Sequence, residues 1–336
     1  MGQQGARRPR SPALRVALAG DTMLGRGVAQ RLAADPSARL VAPEVVEIAR
    51  EADMVLLNLE CCVSTRGRPW RDPGKPFFFR APPAALDTLV QLGTTCVTLA
   101  NNHALDYGTE ALLDTFHFLE AAGIAWVGAG ADVARARAPA VLDVRGRHVA
   151  VVGVTDHPSA FAAGPHRPGV AYADLRTDIP SWLTLAAASA LASTQDTPDA
   201  VIVTPHWGPN MVLRPVAHVR RAADALVEAG ATLVAGHSAH VFHGVARPVL
   251  FDLGDFLDDY ATDPVLRNDL GLLFLVTLDA GGPRRLEAVP LALDDCRTRL
   301  ASGDEATWVR SRFRRACEEL GTAVTEEAGR LVIDWS

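Results

Sequence analysis

Five apolar runs along the chain stop abruptly at polar residues. Residues 14–19 run into Gly20-Asp21, residues 54–57 into Asn58-Leu59-Glu60, and residues 95–99 into Asn101-Asn102-His103. Residues 201–204 lead to His206-Trp207-Gly208, and residues 231–234 to Gly236-His237. Short apolar runs with polar boundaries predict buried strands, here in one sheet with its polar ends gathered on one edge. Open α/β sheets place their ligands there, beyond the carboxyl ends of the strands.

Helix-period segments alternate with these runs. Residues 27–34, 82–92, 109–122, 181–193, 215–229 and 304–320 predict helices, the third with apolar residues at 112, 113, 116 and 119. Residues 140–144 and 148–154, joined by Arg145-Gly146-Arg147, predict a hairpin. Residues 249–251, 272–278, 286–291 and 330–335 predict late strands. Alternation of this kind means a layered α/β domain, with the late antiparallel strands suggesting a second sheet. Residues 1–12 read as a flexible tail, 13–300 as one domain, and 301–336 as a helix and strand packed on it. The one linker-like stretch is 163–168, and Arg310, Arg312, Arg314 and Arg315 read as a solvated helix face.

Composition narrows the class. Of 336 residues, 49% are hydrophobic and 21% charged, enough for a full core. The net charge of −6, from 33 basic and 39 acidic residues, argues against a nucleic-acid partner, whose phosphates attract a basic face. Cys61, Cys62, Cys96, Cys296 and Cys317 form no CxxC pair and read as reduced core thiols. The basic start is followed by an apolar run too short for a signal or spanning segment, so the reading is cytoplasmic with no membrane anchor.

Asp, Glu, Asn and His at strand ends are the usual oxygen and nitrogen ligands of a divalent metal. Each has a plainer reading: Asp21 as a helix cap, Glu60 as a partner of Arg26, Asn101-Asn102 as a turn. The three histidines His206, His237 and His240, with two carboxylates at successive strand ends, favour a shared site. His243 is left outside it, and His117, His148, His166 and His218 receive no role. Lys75 and Arg80 flank Phe77-Phe78-Phe79 as a carboxylate or phosphate grip, or as a strand with charged ends. Residues 252–260 carry four aspartates; a solvated acidic turn is the favoured reading, a cation-binding or supporting segment including Asp255 the other.

Read in order, these clusters resemble the poly-γ-glutamate capsule biosynthesis proteins of the CapA type, a branch of the calcineurin-like metallophosphoesterase fold. The resemblance spans about residues 14–300. It rests on Gly20-Asp21-Thr22-Met23-Leu24-Gly25-Arg26, Asn58-Leu59-Glu60, Ala100-Asn101-Asn102-His103-Ala104-Leu105-Asp106-Tyr107-Gly108, His206-Trp207-Gly208 and Gly236-His237-Ser238-Ala239-His240-Val241. It implies an α/β fold, a two-sheet αββα sandwich of the metallo-dependent phosphatase type, with a dinuclear site of Mn, Fe or Zn between the sheets' ends. Asp21 and His240 would hold one metal, Asn102 and His206 the second, and Glu60 would bridge. His103 would act on the leaving group or oxyanion, with Asp21 as the other catalytic residue. Asn58, Asn101, His237, Lys75, Arg80, Trp207 and Asp255 would contact substrate or support these groups.

The chain departs from the pattern in three places. Met23 stands where the phosphoesterase motif Asp-x-His has its histidine, as in the capsule branch. Ser238-Ala239 replaces the His-Pro of Gly-x-His-Pro-His, and alternation along an extended segment predicts that His237 cannot take over that ligand. The N-terminal anchor common in that branch is not seen. The resemblance implies a metal-dependent enzyme acting on a phosphoryl or amide group of a peptide or γ-glutamyl substrate. The alternatives are a metal-independent peptide epimerase, in which Asp21 and one of His103, His237 or His240 exchange a Cα proton, and a non-catalytic polymer-binding accessory subunit.

Overall fold

The computed structural model describes residues 13–190, 199–294 and 296–335. The expected tail 1–12, and the end of the expected helix 181–193, lie outside the described residues.

The strand Leu14–Thr22 is the axis of the larger sheet. On one side Met54–Leu59, Cys96–Thr98 and Ala125–Val127 follow it in parallel. On the other, Leu270–Asp279, Gly282–Asp294 and Arg330–Asp334 continue antiparallel. The smaller sheet runs Val245–Ala246, Val249–Leu250, Leu233–Ala235, Ala200–His206, Arg147–Thr155, Ala140–Val144. The five apolar runs therefore divide three to two between two sheets instead of sharing one. The late hairpin 270–294 joins the first sheet and not a second, because it pairs with the open edge of Leu14–Thr22. Nothing local to a strand encodes that choice of partner.

Burial on both faces explains why the runs are continuous rather than alternating. Leu14, Val16 and Leu18 point between the sheets and pack with Val149, Val151, Ile202 and Leu233. Ala17 and Ala19 point the other way, into a layer with Val28, Val45, Leu89 and Leu112 from helices Arg26–Ala34, Pro43–Ala49, Leu86–Leu92 and Gly108–Ala121. The outer face of the smaller sheet, with Val152, Val201 and Val203, is covered by Leu183, Val219 and Leu226 of helices Ser181–Ala190 and Ala217–Glu228. The architecture is the expected α/β two-sheet sandwich with helices outside.

The helix Gly303–Glu318 starts on a capping box of Ser302 and Glu305 and inserts Val309, Phe313 and Cys317 into the inter-sheet core. Its basic run is only partly a solvated face: Arg312 is half-buried, with its guanidinium over the Phe242 and Trp308 rings at 5.0 and 5.2 Å. The stretch 163–168 is a tight turn closed by Gly164 N–H to Arg167 O at 2.9 Å, inside the domain. All five cysteines are buried and stand outside any disulfide. Among the described residues no helix is long and apolar enough to cross a membrane.

Candidate functional site

The carboxyl ends of the parallel strands of both sheets meet at one place. Asp21 lies beside a bulge between Ala19 and Asp21 against the neighbouring strand, a device that re-aims side chains. Gly20 makes this possible: a Cβ there would stand 1.8 Å from Gly254 O, so only glycine lets residues 252–257 run alongside. Asp21 N–H then donates to Gly254 O at 2.9 Å.

A chain of amides links the larger sheet's strand ends. Asn58 Nδ2 donates to Asp21 Oδ1 at 2.7 Å, and Asn101 Nδ2 donates to Asn58 Oδ1 and Leu59 O, both at 2.8 Å. Asn101 Oδ1 in turn accepts from His103 N–H at 3.0 Å. Asn58 and Asn101 thus orient neighbours. Met23 is fully buried in apolar packing and offers the centre nothing polar.

From the smaller sheet come His206, at the end of its strand, and the segment 236–241. Contrary to the alternation rule, His237 and His240 both point at Asp21: Nδ1 of His237 is 3.1 Å from Oδ1, and Nδ1 of His240 is 3.5 Å from Oδ2. Ser238 at φ 114° and His240 at φ 58° leave the extended conformation that alternation assumes. Asp252 accepts from Ala239 N–H at 2.8 Å and Gly254 N–H at 2.9 Å, which holds this turn in place. The aspartates of 252–260 are therefore not a solvated acidic turn: Asp252, Asp255 and Asp258 are buried.

Two sets of donors have the spacing of metal ligands: Asp21, Glu60 and His206, and Asp21, His240 and Asp255, each within 4.8 Å. Asp21 belongs to both, the place the resemblance assigns to Glu60. The donor set fits a divalent cation on a second count. Asp21 Oδ2, both Glu60 oxygens, Asn102 Oδ1, His206 Nε2 and Asp255 Oδ2 are buried without a hydrogen-bond partner. Unsatisfied buried polar atoms are costly, and those of Asp21, Glu60, His206 and Asp255 belong to residues of the two triads. Arg26, the alternative partner for Glu60, instead pairs with Asp259 at 3.2 Å.

The electrostatics are those of several charges confined together. Burial pushes Glu60 well above the usual carboxylate range, with the Asp21 charge adding to it. Burial also raises Asp255, helped by Asp258. For Asp21 burial works upward too, but His237, His240 and His206 more than offset it and hold the group below the usual range. His206 is pushed well down by burial and by His157. His240 goes up despite burial, because Glu60 and Asp21 face it.

His103 forms the near wall. Its ring stacks on Phe79, centroids 3.9 Å apart, and Nδ1 meets Asp106 Oδ2 at 2.6 Å. Burial lowers its pKa to about 4 against the opposing pull of Asp106. Lys75 is not a free grip: Nζ pairs with Asp106 Oδ1 at 2.9 Å and donates to Asn102 O at 2.8 Å. Arg80 is engaged elsewhere, over the Tyr107 ring at 4.2 Å and donating to Arg66 O. Trp207 is a strut buried in the outer core, with Nε1 donating to Phe251 O at 2.9 Å.

Sequence reasoning missed three groups. Tyr260 packs edge-on against His240, centroids 5.3 Å apart, with its buried hydroxyl unpartnered. Asp156 and His157 end the strand Arg147–Thr155, beside His206. Their signal is the one that marked the other five clusters, an apolar run stopping at Asp-His, in a segment read only as half of a hairpin. His218, given no role, lies 3.4 Å from Asp156.

Comparison with known proteins adds the following. The family described as bacterial capsule synthesis protein PGA_cap matches residues 15–260. A probable polyglutamine synthesis accessory protein of Mycobacterium tuberculosis is 31% identical over 94% of either chain. The PGA biosynthesis protein CapA of Bacillus subtilis is 26% identical over 96% of this chain and 82% of its own. The capsule biosynthesis protein CapA of Bacillus anthracis is 28% identical over 84% and 68%.

Proposed function

The chain belongs to the bacterial capsule synthesis protein family PGA_cap, and from that premise we propose that it is a metal-dependent enzyme acting on a phosphoryl or amide group in poly-γ-glutamate-type biosynthesis. The observation that carries the reading is the pair of donor triads sharing Asp21, with their buried unpartnered oxygens. Mixed oxygen and nitrogen donors suit Mn, Fe or Zn. Asp21, Glu60 and His206 would hold one cation, and Asp21, His240 and Asp255 another, with Asn102 Oδ1 adding a donor. Such a cation, when bound, activates a water and polarises the reacting oxygen.

The chain's own groups do the rest. Glu60 and Asp255 are pushed up in pKa, so they become full carboxylates most readily opposite a positive charge. His103 is neutral near pH 7; its Nδ1–H donates to Asp106 and leaves Nε2 to exchange a proton with the leaving group. Phe79 and Lys75 hold that pair in place from either side.

One observation favours a second reading. Asp21 already has imidazoles at 3.1 and 3.5 Å, an arrangement able to move a Cα proton without metal, as a peptide epimerase would. The experiment is metal analysis of protein purified without chelator, with turnover of a phosphodiester and of γ-glutamyl amides measured before and after chelation. We expect chelation to abolish turnover and Glu60→Gln to lower metal content. Deuterium uptake at a peptide Cα that survives chelator and vanishes in Asp21→Asn would replace the hydrolase with the epimerase. Neither turnover nor exchange, with retained binding of γ-glutamyl polymer, would make it an accessory subunit.

A further inference from the structure

We propose that His157, oriented by Asp156, is a substrate-positioning residue whose Nε2 accepts a hydrogen bond from a substrate N–H, making the substrate an amide rather than a phosphoryl ester. The inference rests on the metal-centre reading above and narrows its substrate class.

The placement comes from strand register. Thr155 pairs with His206 across the smaller sheet, so the two residues after Thr155 emerge beside the metal-type donors. The His157 and His206 ring centroids are 5.1 Å apart. Among the described residues His157 joins neither donor triad, so it is a neighbour of the centre and not one of its ligands. Its side chain is 33% exposed, against 1% for Asp21 and 11% for His240, which sets it at the rim where a substrate enters.

A surface histidine would be free to rotate; this one is not. Asp156 is nearly buried and bonds His157 Nδ1 through Oδ1. Its other oxygen accepts from Gly208 N–H at 2.9 Å, with His218 Nε2 at 3.4 Å. The backbone is pinned as well: Thr155 Oγ1 donates to His157 O at 2.7 Å and accepts from His157 N–H at 3.3 Å. A carboxylate of this kind fixes both ring orientation and tautomer. In the tautomer that gives Nδ1–H to Asp156, the ring has one free nitrogen, Nε2, and that atom accepts. A phosphoryl ester offers acceptors alone, whereas an amide linkage offers an N–H. His103 with Asp106 repeats the arrangement on the larger sheet, so each sheet contributes one carboxylate-held imidazole.

The test uses two probes at pH 8: a γ-linked glutamyl trimer and dimethyl phosphate, a diester with no O–H to donate. Affinities are measured by calorimetry on metal-loaded protein, with metal content per chain recorded alongside. His157→Ala should weaken the trimer roughly 3–10-fold, the worth of one hydrogen bond, while dimethyl phosphate affinity and metal content stay unchanged. His157→Gln, whose Oε1 can accept, should recover most of the loss. A trimer N-methylated at its amide nitrogens should bind wild type and His157→Ala alike. Equal weakening of both probes, no weakening, loss of metal in His157→Ala, or a wild-type protein that does not bind the trimer would each overturn the proposal. Failure of the hydrolase reading would show instead as chelator-insensitive or absent turnover, which this binding measurement does not use.

Discussion

Burial holds the His243 imidazole neutral, taking its pKa down to about 4 even though Nε2 donates to Val212 O at 2.8 Å; the Arg312 and Arg220 charges push the same way as burial. In the unfolded chain a histidine takes its proton near 6.5. Between those values the unfolded state binds more protons than the folded one, so stability is full above about 6.5 and falls as the pH drops toward 4. The shift corresponds to about 3 kcal/mol. His243→Gln can still donate to Val212 O but has no proton to gain. We expect its urea midpoint to fall less than that of wild type between pH 7 and pH 5. An equal fall in both proteins would assign the acid sensitivity to other groups.

The helix Gly303–Glu318 lies outside the matched family region and yet completes the core between the sheets. Phe313 is fully buried and sits 5.9 Å from the Phe274 ring and 6.2 Å from the Phe242 ring. Phe274 belongs to the strand next to Leu14–Thr22, and Phe242 follows the turn that carries His240. Truncation there leaves a cavity that three elements cannot close together. Phe313→Ala is expected to cost about 3–5 kcal/mol, read as a lower urea midpoint at unchanged slope. A loss under about 1 kcal/mol would mean that the helix is an appendage rather than part of the core.

For the molecule as a whole, the important fact is that the donors come from both layers. Asp21 and Glu60 end strands of the larger sheet, while His206 and His240 come from the smaller sheet and the turn beyond it. A cation held by both would tie the sheets together and bind the folded state alone. Mn²⁺ at about 100 times its dissociation constant should therefore add about 2.7 kcal/mol, seen as a higher thermal midpoint that chelator reverses. Asp21→Asn, which changes the residue common to both triads, should show little of this rise. A rise of the same size in Asp21→Asn would place the cation elsewhere.

The sequence by itself determined the strands and the polar residues that end them. A strand buried on both faces must be apolar throughout, and an abrupt polar stop is visible without knowing any partner. Asp21, Glu60, Asn102, His103, His206 and His240 were legible in this way, and so was the layered α/β class. Pairing was decided only in three dimensions. The hairpin 270–294 took the free edge of Leu14–Thr22, and Thr155 came into register with His206, through contacts distant in sequence. Direction was decided there too: positive φ at Ser238 and His240 turned two imidazoles onto one carboxylate, where alternation predicts opposite faces. Burial of Asp252, Asp255 and Asp258 was equally invisible, because an acidic segment looks solvated until a glycine as small as Gly20 lets another strand lie against it.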